Sequence, residues 1–273
     1  MKNDLPQSIA LFGAGKMGGA MLEGWLAVGM PGPQITLFDP QPSDDIKAMV
    51  ARHGLHLNPA LPLPMPPEVV VLAIKPQMLD SAAQTLAGVI TPRTLVLSIL
   101  AGKTIADIKA RVPACQAIVR AMPNLPAAIR RGVTAAAATP GIAPRQHALA
   151  DALLRAVGKV EWLTDEALID AVTAVSGSGP AYIFHMVEAL AAAGVSSGLP
   201  PDMAARLARA TVEGAGELLF QLDAPPERLR QNVTSPGGTT AAGLDILMAD
   251  NGLIALMRRT VAAAKARAEE LAG

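Results

Sequence analysis

The chain has 273 residues, enough for one large or two ordinary domains. Its 23 Lys plus Arg balance its 23 Asp plus Glu and aromatics make up only 3%, so there is no basic field or aromatic-interleaved patch to recruit nucleic acid or an anionic membrane. Cys115 is the only cysteine, which excludes an intrachain disulfide and points to a reducing compartment.

Residues 9–12 read as a short buried strand, and Gly13-Ala14-Gly15-Lys16-Met17-Gly18 follows. The apolar residues from Met17 to Met30 then recur at helical spacing. Strand, G-x-G-x-x-G and helix in that order form the dinucleotide-binding arrangement. Gly13 is expected to make the tight turn, Gly15 to admit the pyrophosphate and Gly18 to allow close helix–strand packing. Lys16 and Met17 lie in the same loop and count with the cofactor-binding residues. A second strand, residues 34–38, ends at Asp39, where a carboxylate favours a free ribose 2′-hydroxyl. No arginine follows before Arg52. Residues 58–67 carry five prolines and read as an extended loop.

Further strands are expected at residues 69–74, 94–99, 117–121, 132–138 and 158–163. Several are continuous apolar runs, as in parallel strands covered on both faces. Helices at residues 17–28 and 144–156 lie among them. The alternation predicts an α/β fold, a doubly wound Rossmann-type sheet over residues 1–163. Cys115 reads as a small buried hydrophobe.

From Thr164 strand signals cease. Residues 168–175, 181–195, 201–221, 226–233, 240–250 and 253–271 read as helices, giving an all-helical domain over 164–273. Pro180 fits the first turn of a helix after a Gly-Ser-Gly turn. The run from Ala181 to Gly194 is apolar nearly all round, which implies burial on every side. A domain of about 110 residues struggles to bury such a helix alone, so a partner subunit is expected. His185 within it reads as a core histidine. The four histidines show no ligand spacing and no H-E-x-x-H occurs, so no metal site is expected. The longest uncharged stretch, residues 171–187, holds Gly, Ser, Pro and His and is not read as a membrane span. Asp4 and the glycine motif interrupt any apolar leader, and the expectation is a soluble cytoplasmic protein.

Near the end, Ser235-Pro236-Gly237-Gly238-Thr239-Thr240 precedes a helical run to Met248. A helix start offers unpaired N–H groups and a partial positive charge, which suit a carboxylate. Ser235 and Thr240 add hydroxyl donors.

With these residues the chain resembles the pyrroline-5-carboxylate reductase family over almost its whole length. The resemblance rests on Ala73-Ile74-Lys75-Pro76, Val119-Arg120-Ala121-Met122-Pro123-Asn124, Ser176-Gly177-Ser178-Gly179-Pro180-Ala181-Tyr182 and the Ser235–Thr240 segment, in the family's order. It implies hydride transfer from NADPH or NADH to a cyclic imine, giving L-proline. Such a reaction needs a hydride donor over the C=N carbon and a proton source at nitrogen, and no metal or covalent nucleophile. Ala73, Ile74, Lys75, Pro76 and Ala101 are implied cofactor contacts, with Asn124 on the nicotinamide side and Asn232 reaching the cofactor from the partner side. Ser235 and the Thr239–Thr240 amides and hydroxyls, with Gly237 and Gly238, form the implied carboxylate clamp, and Thr240 stands beside the ring nitrogen. Glu166 matches an acidic position near the product, and Asp223 matches a weaker one. The chain departs from the family at Leu100, where small residues are usual, and at Leu125, where Thr is common.

The resemblance implies a homodimer at least and admits a decamer of dimers. On the cofactor two arguments oppose: Asp39 favours NADH, relatives often use NADPH, and both are expected to be usable. An imine reductase for a six-membered ring would use the same clamp. A 6-phosphogluconate-type dehydrogenase would need a lysine in its Gly-rich helix start, which residues 177–182 lack. A non-catalytic nucleotide-binding scaffold would keep the glycine loop without needing Ser235 to Thr240.

Overall fold

The computed structural model describes residues 5–272. Eight strands form one sheet: β1 (Ile9–Phe12), β2 (Ile35–Phe38), β3 (His56–Leu57), β4 (Val69–Leu72), β5 (Leu95–Ser98), β6 (Ala117–Met122), β7 (Gly132–Ala138) and β8 (Gly158–Trp162). The helices are α1 (Lys16–Ala27), α2 (Asp44–His53), α3 (Leu79–Val89), α4 (Ile105–Arg111), α5 (Pro144–Arg155), α6 (Ile169–Val172), α7 (Gly179–Ser196), α8 (Pro201–Gln221), α9 (Pro226–Asn232), α10 (Thr239–Leu247) and α11 (Leu253–Ala272). The chain divides into two compact units, residues 1–177 with 265–273, and residues 178–264. The expected division after Leu163 falls inside the first unit. Residues 164–177 and the last turns of α11 pack with the sheet domain.

The sheet order is β3-β2-β1-β4-β5-β6-β7-β8. Period-two alternation sends neighbouring residues of each strand to opposite faces. Ile9, Leu11, Val69, Val71, Leu95 and Leu97 meet Met21, Leu22 and Trp25 of α1 and Leu149 and Leu153 of α5. Ala10, Phe12, Val70, Leu72 and Val96 meet Leu79 and Leu86 of α3 and Ile108 of α4. Both faces are covered, as the continuous apolar runs require. Each fully buried Leu or Val contributes about 1.5–3 kcal/mol. Cys115 is buried, and burial pushes its thiol up, against its hydrogen bond to the Ala117 carbonyl at 3.1 Å.

Strand β7 runs antiparallel to β6, with Val119 opposite Ala138 and Met122 opposite Ala135. Only residues 123–131 connect the two strands, and a parallel crossover needs a dozen residues or more. Strand β8 then pairs parallel to β7 across α5. The two-residue strand β3 and the shorter end of β4, at Leu72 rather than Ile74, are further departures from the sequence reading.

Residues 166–177 are not one regular helix. A 3-10 turn (Glu166–Leu168) leads into α6 and a π-helical stretch (Thr173–Gly177). Ser178, at φ −83° and ψ −22°, bends the chain between this stretch and α7, and its carbonyl accepts from the Ala181 N–H at 3.0 Å.

In the second unit α7 packs on α8. A Cβ on Gly194 would come within 3.2 Å of the Ala204 Cβ, so the two helices approach at small residues. Among the described residues of this unit only Ala204 and Ala208 are buried. Phe184 is 55% exposed and Ile246 74%, with Ile183, Leu190, Leu207, Phe220 and Ile254 also exposed. The expected all-round burial of α7 is therefore not met within one protomer. His185 is exposed as well, paired with Glu188 at 2.9 Å, rather than a core histidine. By length and composition alone, Glu166–Ser196 is long and apolar enough to cross a membrane. The same apolar character is what a helix enclosed by an assembly requires.

The Trp25 indole N–H donates to the Leu153 carbonyl at 3.0 Å, one of the last-turn carbonyls of α5. Replacing Trp25 by Phe removes that donor inside the core. The expected loss is about 1–3 kcal/mol of stability, read as a lower urea midpoint.

Candidate active site

The strand order reverses beside β1, which has β2 on one side and β4 on the other. In open α/β sheets ligands bind at the carboxyl ends of strands at such a point. Here the first turn is pressed against β4. Gly13 adopts φ +89°, its N–H donates to the Phe38 carbonyl at 2.8 Å, and a Cβ on it would lie 2.7 Å from the Ala73 oxygen. A Cβ on Gly18 would lie 2.2 Å from the Gly13 oxygen. Gly15 is different: a Cβ there would meet nothing within 4 Å, so the loop opens outward at this residue. Lys16 and Met17 begin α1, which has no side-chain cap and no acidic residue in its first turn. Its first N–H groups and partial positive charge therefore face the opening.

Asp39, at the end of β2, is tied to this loop. Its Oδ2 accepts from the Ala14 N–H at 2.8 Å and its Oδ1 from the Gln41 N–H at 2.9 Å. After β4, Ala73 donates its N–H to the Phe12 carbonyl at 2.8 Å, Ile74 is half-buried, and Lys75 is exposed ahead of the Pro76–Met78 turn. After β5, Leu100 is buried and Ala101 exposed. A cavity of about 260 Å³ lies at this edge, lined by Pro76, Gln77, Ala101, Gly102, Arg120, Met122, Asp170 and Thr173 together with Ala268 and Leu271 of α11. Most expected cofactor residues of the first unit thus converge on one edge.

Two expected site residues do structural work. Glu166 Oε1 accepts from the Ile105 N–H at 2.8 Å, which satisfies an open donor at the start of α4. The same oxygen accepts from Arg120 Nη1 at 3.1 Å. Arg120 is only 5% exposed, and its other terminal nitrogen lies 3.8 Å from Asp170 Oδ1. Asn124, 8% exposed, donates to the Ser176 carbonyl at 3.1 Å and accepts from the Val133 N–H at 2.9 Å. It holds the end of β6 to the start of β7 and to the π turn.

The Ser235–Thr240 loop lies in the helical unit. Gly237 sits at φ +68°, and Gly238, the N-cap of α10, donates its N–H to the Ser235 carbonyl at 3.0 Å. The helix begins at Thr239, one residue earlier than expected, and its first internal bond runs from Ala242 N–H to the Gly238 carbonyl at 3.2 Å. The preceding helical N–H groups are left open, and Ser235, Thr239 and Thr240 are exposed. Among the described residues their side-chain hydroxyls make no internal hydrogen bond. Asn232 ends α9, and it and Asp223 are exposed.

The sequence reading did not single out Arg120 or Asn58. An arginine inside the apolar run 117–122 was the available signal for a buried charge with partners. Asn58, at φ +46°, braces Asp39 by accepting from its N–H at 2.9 Å and donating to its carbonyl at 2.7 Å. Its place at the head of a Pro-rich loop gave no such hint.

Fold and loop define the class, a Rossmann-type nucleotide-binding domain joined to a helical unit. Residues 166–271 match the model for pyrroline-5-carboxylate reductase dimerisation, and residues 8–102 match that for NADP oxidoreductase, coenzyme F420-dependent. The pyrroline-5-carboxylate reductase of Pseudomonas aeruginosa is 40% identical over 97% of this chain and 96% of its own length. That of Synechocystis is 47% identical over 75% of each chain. The structure of the Coxiella burnetii enzyme superposes with a TM-score of 0.88 at 34% identity, over 97% of this chain and 98% of that one. The chain belongs to the pyrroline-5-carboxylate reductase family. Its helical segment is a dimerisation domain by family, which accounts for apolar helices left open in one protomer.

Replacing Arg120 by Met removes the cation between Glu166 and Asp170. Both carboxylates keep some solvent, so the expected loss is about 3 kcal/mol, the lower end for breaking a buried pair. Glu166→Gln, which still offers the Ile105 N–H an acceptor, is expected to cost less in the same urea titration.

Proposed function

We propose that the chain reduces the C=N bond of pyrroline-5-carboxylate with NAD(P)H to give L-proline. The observation that carries this reading is the Ser235–Thr240 loop, whose open amides and exposed hydroxyls suit a carboxylate-bearing substrate. When bound, the dihydronicotinamide supplies the hydride. Gly13, Gly15, Lys16, Met17 and Gly18 hold the pyrophosphate at the start of α1. The open space over Gly15 and the uncapped helix end fit that group. Asp39 takes the adenine ribose, while Ala73, Ile74, Lys75, Pro76 and Ala101 border the rest of the dinucleotide. Asn124 fixes the wall beside the nicotinamide, and Asn232 reaches the cofactor from the partner side.

Ser235, Gly237, Gly238 and Thr239 clamp the substrate carboxylate, and Thr240 donates a hydrogen bond to the ring nitrogen as it gains its proton. Glu166 stands on the product side. Its Oε1 already accepts two bonds, so Oε2 is the oxygen left to a ligand. The protein acts as a homodimer at least, with a decamer of dimers as a larger form, in the cytoplasm. The exposed apolar surface of α7, α8, α10 and α11 supports the dimer.

The test is the initial rate of NADH and NADPH oxidation with pyrroline-5-carboxylate, set beside its six-membered homologue. Rapid oxidation with the five-membered ring is expected. Dinucleotide binding without oxidation would point to another imine or to a non-catalytic scaffold. In the same assay Thr240→Ala is expected to lower turnover about a hundredfold, with cofactor affinity unchanged. Wild-type turnover in that variant would remove Thr240 from the mechanism.

A further inference from the structure

Asp39 is held on four sides. Its carboxylate oxygens accept the N–H groups of Ala14 and Gln41, at 2.8 and 2.9 Å. Its backbone N–H and carbonyl are both bonded to the Asn58 side chain, at 2.9 and 2.7 Å. An ionised carboxylate has about four acceptor positions, so two remain, and the backbone bonds fix where they point. The charge is therefore preorganised beside the glycine loop, at the strand end where an adenine ribose binds.

The segment that follows Asp39 adds no compensating cation. From Pro40 to Ile46 the chain carries Asp44 and Asp45 and neither Lys nor Arg. Lys47 is the next cation, and its ammonium is engaged by Asp44 at 3.0 Å. Lys16 opens α1, on the pyrophosphate side. On this side the start of α2 would attract a phosphate. There the Ser43 hydroxyl already caps the Ile46 N–H, and two carboxylates occupy the first turn.

We infer that Asp39 selects a ribose with a free 2′-hydroxyl, so that this chain binds NADH in preference to NADPH. The inference rests on the reductase reading only in requiring that the glycine loop hold a nicotinamide dinucleotide. A 2′-hydroxyl can donate to a remaining lone pair of the carboxylate, whereas a 2′-phosphate brings about two negative charges against it. At hydrogen-bonding distance this repulsion acts well inside the Debye length of about 10 Å at 0.1 M salt, so physiological salt leaves most of it in force.

Binding is measured on the assembled protein by isothermal titration with NADH and NADPH, in the absence of any imine. NADH is expected to bind at least tenfold more tightly. Asp39→Ser removes the charge and narrows the ratio severalfold or more. It also removes the acceptor for the Ala14 N–H, so Gln41→Arg serves as a second variant. Gln41 uses only its main-chain N–H, and its exposed side chain is replaced by a cation without disturbing Asp39. Severalfold tighter NADPH binding is expected there, with NADH binding unchanged. NADPH bound as tightly as NADH by the wild type overturns the inference and leaves a dinucleotide-dependent reductase in place. Binding of neither overturns both readings. An NADH preference that both variants leave unchanged overturns the part given to Asp39.

Discussion

The first turn of the chain has no room for a side chain at Gly13 or Gly18, and the site is arranged around that fact. Gly18 presses α1 onto the Gly13 carbonyl, and Gly13 presses in turn onto Ala73 at the end of β4. These two approaches place the start of α1 directly over the point where the strand order reverses. They leave Gly15 as the open position and bring Asp39 within hydrogen-bonding reach of Ala14. A bulkier residue at either glycine would lift the helix from the sheet and move the open N–H groups away from any phosphate. Positioning, rather than reactive side chains, is what this edge contributes to chemistry carried by a cofactor.

The two units solve the burial problem in different ways. The sheet domain closes both faces with its own helices, and its largest buried side chains, Trp25 and Leu11 among them, are shielded within one chain. The helical unit holds two buried alanines and little else. Its surface reads as half of a core, and membership of a family whose matching segment is a dimerisation domain supplies the other half. Folding of that unit and association are then a single free-energy balance, with an apparent stability that depends on protomer concentration.

Much of this was legible in the residues themselves. The glycine spacing after an apolar strand located the switch point, because only glycine tolerates these contacts. Continuous apolar runs gave the covered sheet, and Pro180 marked a helix start. The direction of β7 was not read, although the short stretch 123–131 implied it. The run from Ala181 to Gly194 was read as apolar nearly all round, but which surface covers it is not written in one chain. The roles of Asn124 and Glu166 were obscured for another reason. Motif position suggested ligand contacts, whereas their hydrogen bonds to Val133, Ser176, Ile105 and Arg120 depend on segments far apart in sequence. A pattern of residue types carries local geometry well and long-range polar pairing poorly.

Residues 265–273 belong to the first unit, and Leu271 shares a cavity wall with Pro76 and Gln77. During synthesis the sheet domain therefore leaves the ribosome with part of one wall still missing. The helical segment must be made before that wall can be completed by the final turns of α11. Contacts between segments so far apart in sequence are slow to close. The nucleotide-binding half thus reaches its finished form only once α11 has been made, which delays a competent site until the segment of the dimerisation domain already exists.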